Sequence, residues 1–376
     1  MTKIIFSVTN DIITDQRVYK ISHTLAGPGT EITVIGRKLP RSPDIISNKV
    51  KYKRFKLLFR KGLLFYMEYN LRLFCYLLTC RADVFVANDL DTLAGNFLAA
   101  RMRRKKLVYD SHEYFTEVPE LRGRHFIKFI WRTIEKIIVP KISTSYTVCE
   151  SLAKIYNEKY GIQMQVVRNL SLCNRDYPVL SRKLRKKDER IILYQGALNK
   201  GRGLELAIKA MKYLGNARLV IIGGGDIENE LHFLVKNENV NEKVTFIGRV
   251  PWQELGIYTR QADIGISLEE NLGLNYYYAL PNKLFDYIQA KVPVLVSDFP
   301  EMRQIVNHYE IGRTILTEDS RELANVFIDM LSNKELIKKW KTNLENAATE
   351  LCWEIEEIKI KEIFSKITQQ ETQHSA

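Results

Sequence analysis

The chain has 376 residues, 45% of them hydrophobic and 10% aromatic, and a formal net charge of +13. This length and apolar content exceed the needs of one ordinary core and predict two globular domains of roughly 170 residues each. The positive charge suits nucleic acid, an anionic membrane surface or phosphorylated substrates. Because no helix-turn-helix, zinc-finger or RNA-binding signature is present, nucleic acid is the weakest of the three.

The N-terminus and the cysteines bear on the cellular compartment. A short apolar run passes directly into polar Thr9, Asn10 and Asp11, which is not the anatomy of a signal peptide, so we expect a cytoplasmic chain. The cysteines show no ligand-like spacing and no matching histidine cluster, which predicts reduced thiols, no metal site and no disulfide framework. They are Cys75, Cys80, Cys149, Cys173 and Cys352.

The first half alternates strand-like and helix-like stretches. Strand-like runs at 3–8, 31–36, 83–87, 106–109, 143–148 and 165–168 are separated by helix-compatible stretches such as 16–25 and 92–103. This alternation is typical of a parallel sheet wrapped by helices.

Two apolar stretches and one basic cluster of the first half raise the question of a membrane. Residues 62–80 approach the length of a membrane span, but they contain Glu68, Asn70 and Arg72, and mid-span charges cost about 2.5–3.5 kcal/mol each. We therefore expect a helix packed on the first domain. Residues 126–139 predict an amphipathic helix, for which core packing and membrane docking both stay open. Six basic residues between 51 and 61 favour a membrane surface over DNA.

Residues 171–190 are polar and basic and lack an apolar period, so they are interpreted as a linker. The strand–helix pattern then restarts, with strands at 191–195, 217–222, 243–247, 264–267, 292–297 and 311–316. The helices between them are predicted at 203–213, 227–236, 252–261 and 300–307, and further helices run from 320 to frayed residues at 369–376. The second half is therefore a second α/β unit.

The segment at 194–204, Tyr-Gln-Gly-Ala-Leu-Asn-Lys-Gly-Arg-Gly-Leu, follows a strand and precedes a helix. Glycines let the backbone approach a ligand, and a helix N-terminus offers unpaired N–H groups, so we predict an anion site. Arg202 adds a planar fork suited to a diphosphate. The segment matches neither the Walker loop nor the dinucleotide fingerprint, which weakens the ATPase and dehydrogenase interpretations.

A second polar segment precedes a buried strand. Pro-Asn-Lys-Leu-Phe-Asp-Tyr at 281–287 predicts a capped helix with one face on the sheet, leaving Lys283 and Asp286 near its first turns. Those two charges suit a phosphate and a ribose, although they also fit the solvated face of an amphipathic helix.

Taken with five other motifs, these segments resemble glycosyltransferase family 4, the group 1 retaining transferases. The further motifs are at 220–225, 244–250 and 262–267 in the second half and at 88–92 and 109–113 in the first, and the Trp-Glu pair at 353–354 resembles the family's C-terminal helix. The resemblance implies the GT-B fold: two facing Rossmann-like domains with a cleft between them and a C-terminal helix that crosses back to the first domain. The expected boundaries are 1–170 for the acceptor domain, 171–190 for the linker, 191–350 for the donor domain and 351–376 for the returning helix.

The resemblance also implies donor-site residues. Arg202 and Lys283 would bind the donor diphosphate, the turn at Arg249 and Val250 would contact the base, and Asp286 would hold the ribose. The family's first motif carboxylate is replaced by Tyr278, so its sugar contact is expected to pass to Glu269 or Glu270. Gly196, Gly203 and Asn282 complete the expected donor site.

In the first domain, His112 corresponds to a family histidine near the donor sugar, against the alternative of a core imidazole. Asn10, Arg17 and Glu113 are expected on the acceptor side. The implied reaction is retaining transfer from a nucleoside-diphosphate sugar to a lipid-linked or oligosaccharide acceptor in cell-surface glycan synthesis, with neither metal nor cofactor. We expect a cytoplasmic enzyme held peripherally on the anionic inner face of the cell membrane. A nucleotide-sugar epimerase and a non-catalytic assembly subunit remain as alternatives.

Overall fold

The computed structural model describes residues 1–40, 42–45, 47–173, 184 and 188–374, with side chains up to residue 368. The chain divides into two compact units. Unit 1 comprises Met1–Asn169 and Glu356–Ala376, and unit 2 comprises Leu170–Ile355.

Unit 1 is built on a seven-stranded sheet in the order β3-β2-β1-β4-β5-β6-β7, with neighbouring strands parallel. In such an order the direction of winding reverses between β1 and β4, and ligands bind at the carboxyl ends of the strands at this switch point. The strands are β1 (Thr2–Ser7), β2 (Thr30–Arg37), β3 (Val50–Phe55), β4 (Val84–Asn88), β5 (Lys106–Ser111), β6 (Thr144–Thr147) and β7 (Gln165–Val166).

The helices of unit 1 cover its sheet. They are α1 (Gln16–Leu25), α2 (Gly62–Thr79), α3 (Leu90–Arg103), α4 (His125–Ile138) and α5 (Glu150–Tyr160). Short 3₁₀ turns occupy Ile12–Thr14, Phe115–Glu117, Pro119–Leu121 and Val139–Lys141.

Helix α2 packs on α3 as predicted, with Phe65, Tyr69, Leu73 and Leu77 buried at a spacing of four residues. Its central polar residues have structural partners: Glu68 accepts the backbone N–H groups of residues 58 and 59, and Asn70 bonds the backbone of α3. Among the described residues, no helix is long and apolar enough to cross a membrane.

Unit 2 repeats the plan with six parallel strands in the order β10-β9-β8-β11-β12-β13, so its switch point lies between β8 and β11. The strands are β8 (Arg190–Gln195), β9 (Ala217–Ile222), β10 (Val244–Gly248), β11 (Ile264–Ser267), β12 (Val294–Ser297) and β13 (Gly312–Ile315). The helices are α6 (Leu204–Ala210), α7 (Glu228–Asn237), α8 (Leu255–Thr259), α9 (Leu274–Tyr277), α10 (Asn282–Gln289), α11 (Pro300–Tyr309), α12 (Ser320–Ser332) and α13 (Lys334–Glu350), and a 3₁₀ turn occupies Met211–Tyr213.

Tyr287 fixes helix α10 against the sheet of unit 2. Its side chain is fully buried, and its hydroxyl lies 3.1 Å from the carbonyl oxygens of Leu193 and Ile266. The ring crosses β11 at Gly265, where an added Cβ would lie 2.4 Å from it. A glycine is therefore required at this point of the strand.

The last helix, α14 (Trp353–His374), begins in unit 2 and continues into unit 1. Within unit 1, Phe364 stacks on Phe6, and Thr24 donates a hydrogen bond of 2.8 Å to Glu357. Helix α14 thus contributes to the core of unit 1.

These observations confirm the predicted fold class of two parallel-sheet α/β units. Strand β3 was not predicted, because Lys51 and Lys53 give it a polar character; it lies at the sheet edge, where lysines are common. Most of the predicted linker lies outside the described residues.

The prediction of reduced cysteines without a disulfide is wrong for one pair. Cys173 and Cys352 form a disulfide across a sequence separation of 179 residues. No local spacing marks such a pair, because the fold alone brings the two segments together. The remaining cysteines, Cys75, Cys80 and Cys149, are not part of a disulfide.

Candidate functional site

Two glycine-containing loops meet at the carboxyl ends of β8 and β9 in unit 2. An added Cβ on Gly223, which has φ +147°, would lie 1.8 Å from the carbonyl oxygen of Gly196. An added Cβ on Gly203, which has φ +68°, would lie 2.2 Å from the carbonyl oxygen of Leu268. Both clashes would be with backbone atoms, which cannot move aside as a flexible side chain can, so glycine is required at both positions. They place the loop after β8 beside the loop after β11, at the switch point.

Three charged side chains converge there. The buried carboxylate of Glu269 accepts a 2.8 Å hydrogen bond from Lys283 Nζ and a 3.4 Å hydrogen bond from Arg202 Nη1. Ser267 donates a further bond of 2.8 Å to the same carboxylate. One anion therefore holds two cations from different elements, the loop after β8 and the first turn of α10.

Aromatic rings support both cations of this cluster. The Arg202 guanidinium lies 4.5 Å from the centre of the Tyr276 ring, and Lys283 Nζ lies 4.4 Å from the centre of the Tyr194 ring. Arg202 keeps 23% of its side chain exposed, and its Nε has no hydrogen-bond partner among the residues that the structure describes. The guanidinium thus retains donor capacity for an anionic ligand.

The balance of charge sets the protonation of the cluster. Burial would raise the pKa of Glu269, but Lys283 and Arg202 hold that pKa below its ordinary value. Burial lowers the pKa of Lys283, opposed by the attraction of Glu269 and reinforced by the repulsion of Arg202. With two cations on one carboxylate, the cluster is set up to receive a further negative charge.

Asp286 lies on α10, one turn after Lys283. Its Oδ2 accepts a 2.8 Å hydrogen bond from Gln195 Nε2, and its Oδ1 accepts the hydroxyl of Ser171. Thr259 in turn donates a 2.7 Å bond to Gln195 Oε1, which fixes the amide orientation. Asp286 also lines a cavity of about 330 Å³ together with Ser171, Trp252, Gly256 and Arg260.

The other predicted donor residues occupy the same end of the sheet in unit 2. Arg249 is exposed after β10, and its Nε would lie 2.8 Å from a Cβ on Gly224. Val250 is half-buried beside it, and Asn282 is exposed at the start of α10.

The two candidate replacements for the missing motif carboxylate differ in orientation. Glu269 points inward to the two cations, whereas Glu270 is exposed and its backbone N–H bonds the carbonyl of Gly201 at 2.9 Å. Burial raises the pKa of Glu270, assisted by the nearby Glu205. Tyr278 is half-buried and contacts Tyr277.

Unit 1 has its own polar cluster at the switch point between β1 and β4. The hydroxyl of Thr9, after β1, donates to the buried carboxylate of Asp91, after β4. Burial, with repulsion from Asp89 and Glu113, raises the pKa of Asp91 to about 8. Asp91 therefore carries a proton at neutral pH.

His112 is held by two carboxylates. Its Nδ1 lies 3.2 Å from Asp89 Oδ2, its Nε2 lies 3.1 Å from Asp110 Oδ2, and its backbone N–H donates to Asp89 Oδ1 at 2.7 Å. Burial would lower the pKa of His112, but these two anions raise it well above 6.5. The ring is therefore an imidazolium whose two N–H groups are both engaged.

Asp89 adopts an unusual backbone conformation to reach His112, with φ 61° and ψ 167°. It is the N-cap residue of α3, yet its side chain accepts no hydrogen bond from that helix. Non-glycine residues at positive φ concentrate at functional sites, where surrounding contacts maintain the strain.

The residues expected on the acceptor side take different positions in unit 1. The Arg17 guanidinium is buried, donates to both oxygens of Asp110 at 2.8–3.0 Å and bonds the carbonyl of Val167 at 2.8 Å. Arg17 therefore supports Asp110, which in turn holds His112. Asn10 is exposed and donates to Asp15, and Glu113 is half-buried with its carbonyl bonded by Ser111.

Several members of these clusters were not predicted from the sequence. Gln195 and Asp91 were missed, although each follows or ends a strand beside a switch point, where ligand-binding residues collect. The inward orientation of Glu269 had no sequence signal, because β11 ends at Ser267 and its alternation of faces stops there.

One group of side chains in unit 2 has the proximity of metal ligands. The Sγ atoms of Cys173 and Cys352 and a carboxylate oxygen of Glu354 lie within 4.8 Å of one another. Because the two sulfurs are joined in a disulfide, they offer no thiolates for such a role.

Several relatives share sequence with this chain, among them two glycosyltransferases. It is 32% identical over 142 residues to an uncharacterized glycosyltransferase of Methanocaldococcus jannaschii, covering 36% of this chain and 34% of the relative. The match thus spans about a third of that relative's length. The O-antigen chain mannosyltransferase RfbU of Salmonella typhimurium is 22% identical over 281 residues, which is 73% of this chain and 71% of RfbU.

Solved structures share the fold over nearly the full chain. The sucrose-phosphate synthase of Thermosynechococcus elongatus has a TM-score of 0.79 and 17% identity, covering 98% of this chain and 100% of the synthase. HepE of Anabaena, solved with UDP-glucose, has a TM-score of 0.74 and 14% identity, covering 97% and 100%.

Two family models match consecutive parts of the chain. The model described as Glycosyltransferase Family 4 matches residues 15–170, and the model described as Glycosyl transferases group 1 matches residues 177–347. The first match falls on unit 1 and the second on unit 2, where the two-cation cluster lies. The chain belongs to the group 1 glycosyltransferase family.

Proposed function

We propose that the protein transfers a sugar, with retention of configuration, from a nucleoside-diphosphate sugar to a lipid-linked or oligosaccharide acceptor in cell-surface glycan synthesis. The observation that carries this proposal is the pairing of Arg202 and Lys283 on the single buried carboxylate of Glu269. Two cations beside a glycine-lined loop are suited to the charge that develops on a departing diphosphate. Such preorganised charges would supply the stabilisation that a metal supplies in other transferases.

The state of His112 bears on the route of the proton. Because both ring nitrogens are engaged with carboxylates, the imidazolium has no free site to accept a proton from an acceptor hydroxyl. This supports a mechanism without a protein base. The bond from the sugar C1 to the diphosphate breaks, a C1–O bond to the acceptor forms on the same face, and the departing phosphate oxygen takes the hydroxyl proton. In this mechanism the protein contributes positioning and electrostatics.

We assign the ribose of the donor to Asp286. Its carboxylate is oriented by Gln195 and Ser171 and borders a cavity in unit 2, which are the properties of an acceptor for a ribose diol. The UDP-glucose complex of HepE, which shares the fold, supports a nucleoside-diphosphate sugar as the class of donor.

The acceptor class rests on the relatives and on the surface of unit 1. The name of RfbU, an O-antigen chain mannosyltransferase, supports a role in glycan assembly. Helices α2, α3 and α4 pack side by side and expose apolar residues, among them Leu64, Met67, Met102, Phe126 and Phe129. Phe126 is 71% exposed and Phe129 is 66% exposed, and the same helix exposes Arg132 and Lys136. This combination suits peripheral attachment to an anionic cytoplasmic membrane face.

Two other functions remain to be separated by experiment. An epimerase would convert the donor without an acceptor, and a non-catalytic assembly subunit would bind nucleotide weakly or not at all. The replacement of the motif carboxylate by Tyr278 favours the subunit, whereas the intact cluster of Arg202, Glu269 and Lys283 favours the transferase.

The test is mass spectrometry of products from a panel of nucleotide sugars with lipid-linked acceptors, run with and without a metal chelator. Acceptor-dependent, chelator-resistant product is expected, and NMR should show that it has the anomeric configuration of the donor. Conversion of the donor, without acceptor, to a nucleotide-sugar isomer that NMR distinguishes would identify an epimerase.

Nucleotide binding is tested separately by calorimetry with a free nucleoside diphosphate. Asp286→Ala should weaken binding by about 1.5–3 kcal/mol, the range for a hydrogen bond to a charged group. Glu345→Ala, at an exposed position of α13 in the same unit, is the matched control. Equal affinities of wild type and Asp286→Ala would remove the ribose assignment.

A further inference from the structure

A basic cavity of about 400 Å³ lies in unit 1 at the carboxyl ends of β2 and β3. Four cationic residues line it: Arg37, Lys38, Lys56 and Arg60. Among the residues that the structure describes, no carboxylate lines the cavity. Of the described residues that line it, none belongs to the polar cluster around His112 in the same unit.

The walls of this cavity are held by specific contacts. Glu68 of α2 accepts the N–H groups of Leu58 and Phe59 at 2.9–3.1 Å, which fixes the loop between β3 and α2. The Arg37 guanidinium lies 5.0 Å from the centre of the Phe65 ring. The Arg37 N–H bonds the carbonyl of Asn10 at 3.1 Å, so the cavity adjoins the loop after β1.

The positive charge of the cavity is largely uncompensated. Lys38 pairs with Asp44 at 3.0 Å, but within the described part of the chain Arg37, Lys56 and Arg60 form no ion pair with a carboxylate. Arg37 Nε is buried and has no hydrogen-bond partner. A buried donor without an acceptor is unfavourable, and an anionic oxygen in the cavity would satisfy it.

Three other basic residues of the 51–61 cluster, Lys51, Lys53 and Arg54, do not line the cavity. Lys51 pairs with Glu31 at 2.9 Å, and Lys53 lies 5.9 Å from the centre of the Tyr76 ring. Arg54 is 9% exposed and pairs with Asp11 and Asp44. The sequence suggests that the six basic residues act as one basic cluster. In the structure, they do not form a single surface.

The cavity also has an apolar wall. Leu39, Pro40, Leu57, Phe59 and Phe65 line it beside the cations. Phe59 and its neighbour Leu58 are exposed, the latter by 80%. A free inorganic anion would not use these side chains, whereas the chain of a lipid would cover them.

We propose that this cavity binds the phosphate group of a phosphorylated lipid acceptor, with Arg37, Lys56 and Arg60 on the phosphate and the apolar wall against the first part of the lipid chain. The proposal rests on the proposed function, because it names the chemical class of that acceptor. Arginine forks and a lysine are the side chains that proteins use for phosphate groups.

The test measures binding of a polyprenyl phosphate in neutral detergent micelles, with no nucleotide present. The probes for comparison are the corresponding polyprenol and inorganic pyrophosphate. The cavity variant is Lys56→Gln/Arg60→Gln, and its matched control is Lys51→Gln/Lys53→Gln, which removes the same charge from the same stretch of chain. Since all four side chains are exposed, both variants should fold, and thermal unfolding verifies this.

The polyprenyl phosphate should bind more tightly than either comparison probe. The cavity variant should bind it about ten- to about a hundredfold more weakly than wild type, and the control should match wild type. Equal losses in both variants would mean general surface charge and would overturn the proposal. Pyrophosphate binding as tight as that of the lipid would overturn the assignment to a lipid.

Failure of the proposed function has a different signature. If no nucleotide sugar is a donor but the cavity variant still loses the lipid phosphate, the transferase proposal fails and the cavity assignment stands. If the protein transfers sugar equally well to unphosphorylated acceptors and both double variants retain full transfer, the transferase proposal stands and the cavity assignment fails.

Discussion

Glu269 and Lys283 form an ion pair of 2.8 Å in which the carboxylate is fully buried and the lysine is 8% exposed. Removing one partner of such a pair leaves an uncompensated buried charge, which typically costs about 3–5 kcal/mol. We therefore expect Lys283→Met to lower the free energy of unfolding, although Arg202 compensates part of the charge. The double variant Glu269→Gln/Lys283→Met should recover stability without recovering nucleotide binding. Urea unfolding and calorimetry measure the two effects, and a double variant that recovers both would exclude Lys283 from the donor site.

Arg202 is expected to act on turnover more than on stability. It is partly exposed, and its contact with Glu269 is the longer of the two at 3.4 Å, so its removal leaves Lys283 on the carboxylate. If it stabilises charge on the leaving diphosphate, Arg202→Ala should lower kcat by about 10²–10³, with Arg202→Lys intermediate. Steady-state kinetics with the identified acceptor provides the measurement, and the control is Lys209→Ala, which changes an exposed side chain of α6. Wild-type kcat in Arg202→Ala would refute the assignment.

His112 should remain protonated across the neutral range. Because Asp89 and Asp110 raise its pKa well above 6.5, its stabilising contribution is complete below the unfolded pKa and is lost as the pH rises through the folded pKa. NMR titration of the ring should show no midpoint between about pH 5.5 and 7.5 in wild type. In Asp89→Asn the midpoint should move down toward neutral pH, with exposed His125 as the internal reference. A wild-type midpoint near 6.5 would contradict the double ion pair.

Asp91 should make stability fall as the pH rises. Its folded pKa of about 8 lies above the ordinary value of 3.8, so its contribution is complete below about pH 4 and is lost as the pH approaches 8. The slope from this residue is at most about 1.4 kcal/mol per pH unit. Unfolding by urea at several pH values should therefore show a flatter profile for Asp91→Asn than for wild type. Parallel profiles would show that Asp91 ionises normally.

Membrane attachment should depend on the apolar residues of α4 together with exposed cations. Liposome sedimentation should require anionic lipid and should weaken at high salt, because each basic residue near such a surface contributes about 1 kcal/mol. Phe126→Ser/Phe129→Ser should reduce sedimentation, and Phe233→Ser, an exposed phenylalanine of unit 2, is the control. Arg54 is not expected to contribute to this attachment, because its side chain is 9% exposed and pairs with Asp11. Sedimentation that is equal with neutral lipid would refute electrostatic attachment.

The two sheets were predictable because most of their strands are apolar runs, and the segments between them have the apolar spacing of helices. Both patterns can be recognised from residues that are close together in the sequence. Strand β3 was missed because an edge strand tolerates Lys51 and Lys53 on its exposed side. The positions of Arg202 and Lys283 beside a glycine loop followed from motif spacing, but their shared partner did not. Which of Glu269 and Glu270 points inward depends on the turn after β11, and no local signal encodes that turn.

The environment of His112 was likewise only partly predictable. Its partner Asp110 is close in sequence, but its other partner, Asp89, follows a different strand. The environment of Arg17 was also only partly predictable. Its position in a polar turn suggested an exposed contact with a ligand, but its guanidinium is buried and pairs with Asp110. Side chains from separate strands meet only when the sheet order brings them together.

The disulfide between Cys173 and Cys352 changes the connectivity of unit 2. The bonded residues lie near the points where the chain enters this unit and leaves it, Leu170 and Ile355. With the bond formed, almost all of unit 2 is a covalently closed ring, and a single proteolytic cut anywhere between the two cysteines leaves the fragments attached. In denaturing electrophoresis such a nicked chain would migrate as one species without reductant and as two species with it. The backbone of unit 2 can therefore be cut while the disulfide keeps the two fragments joined.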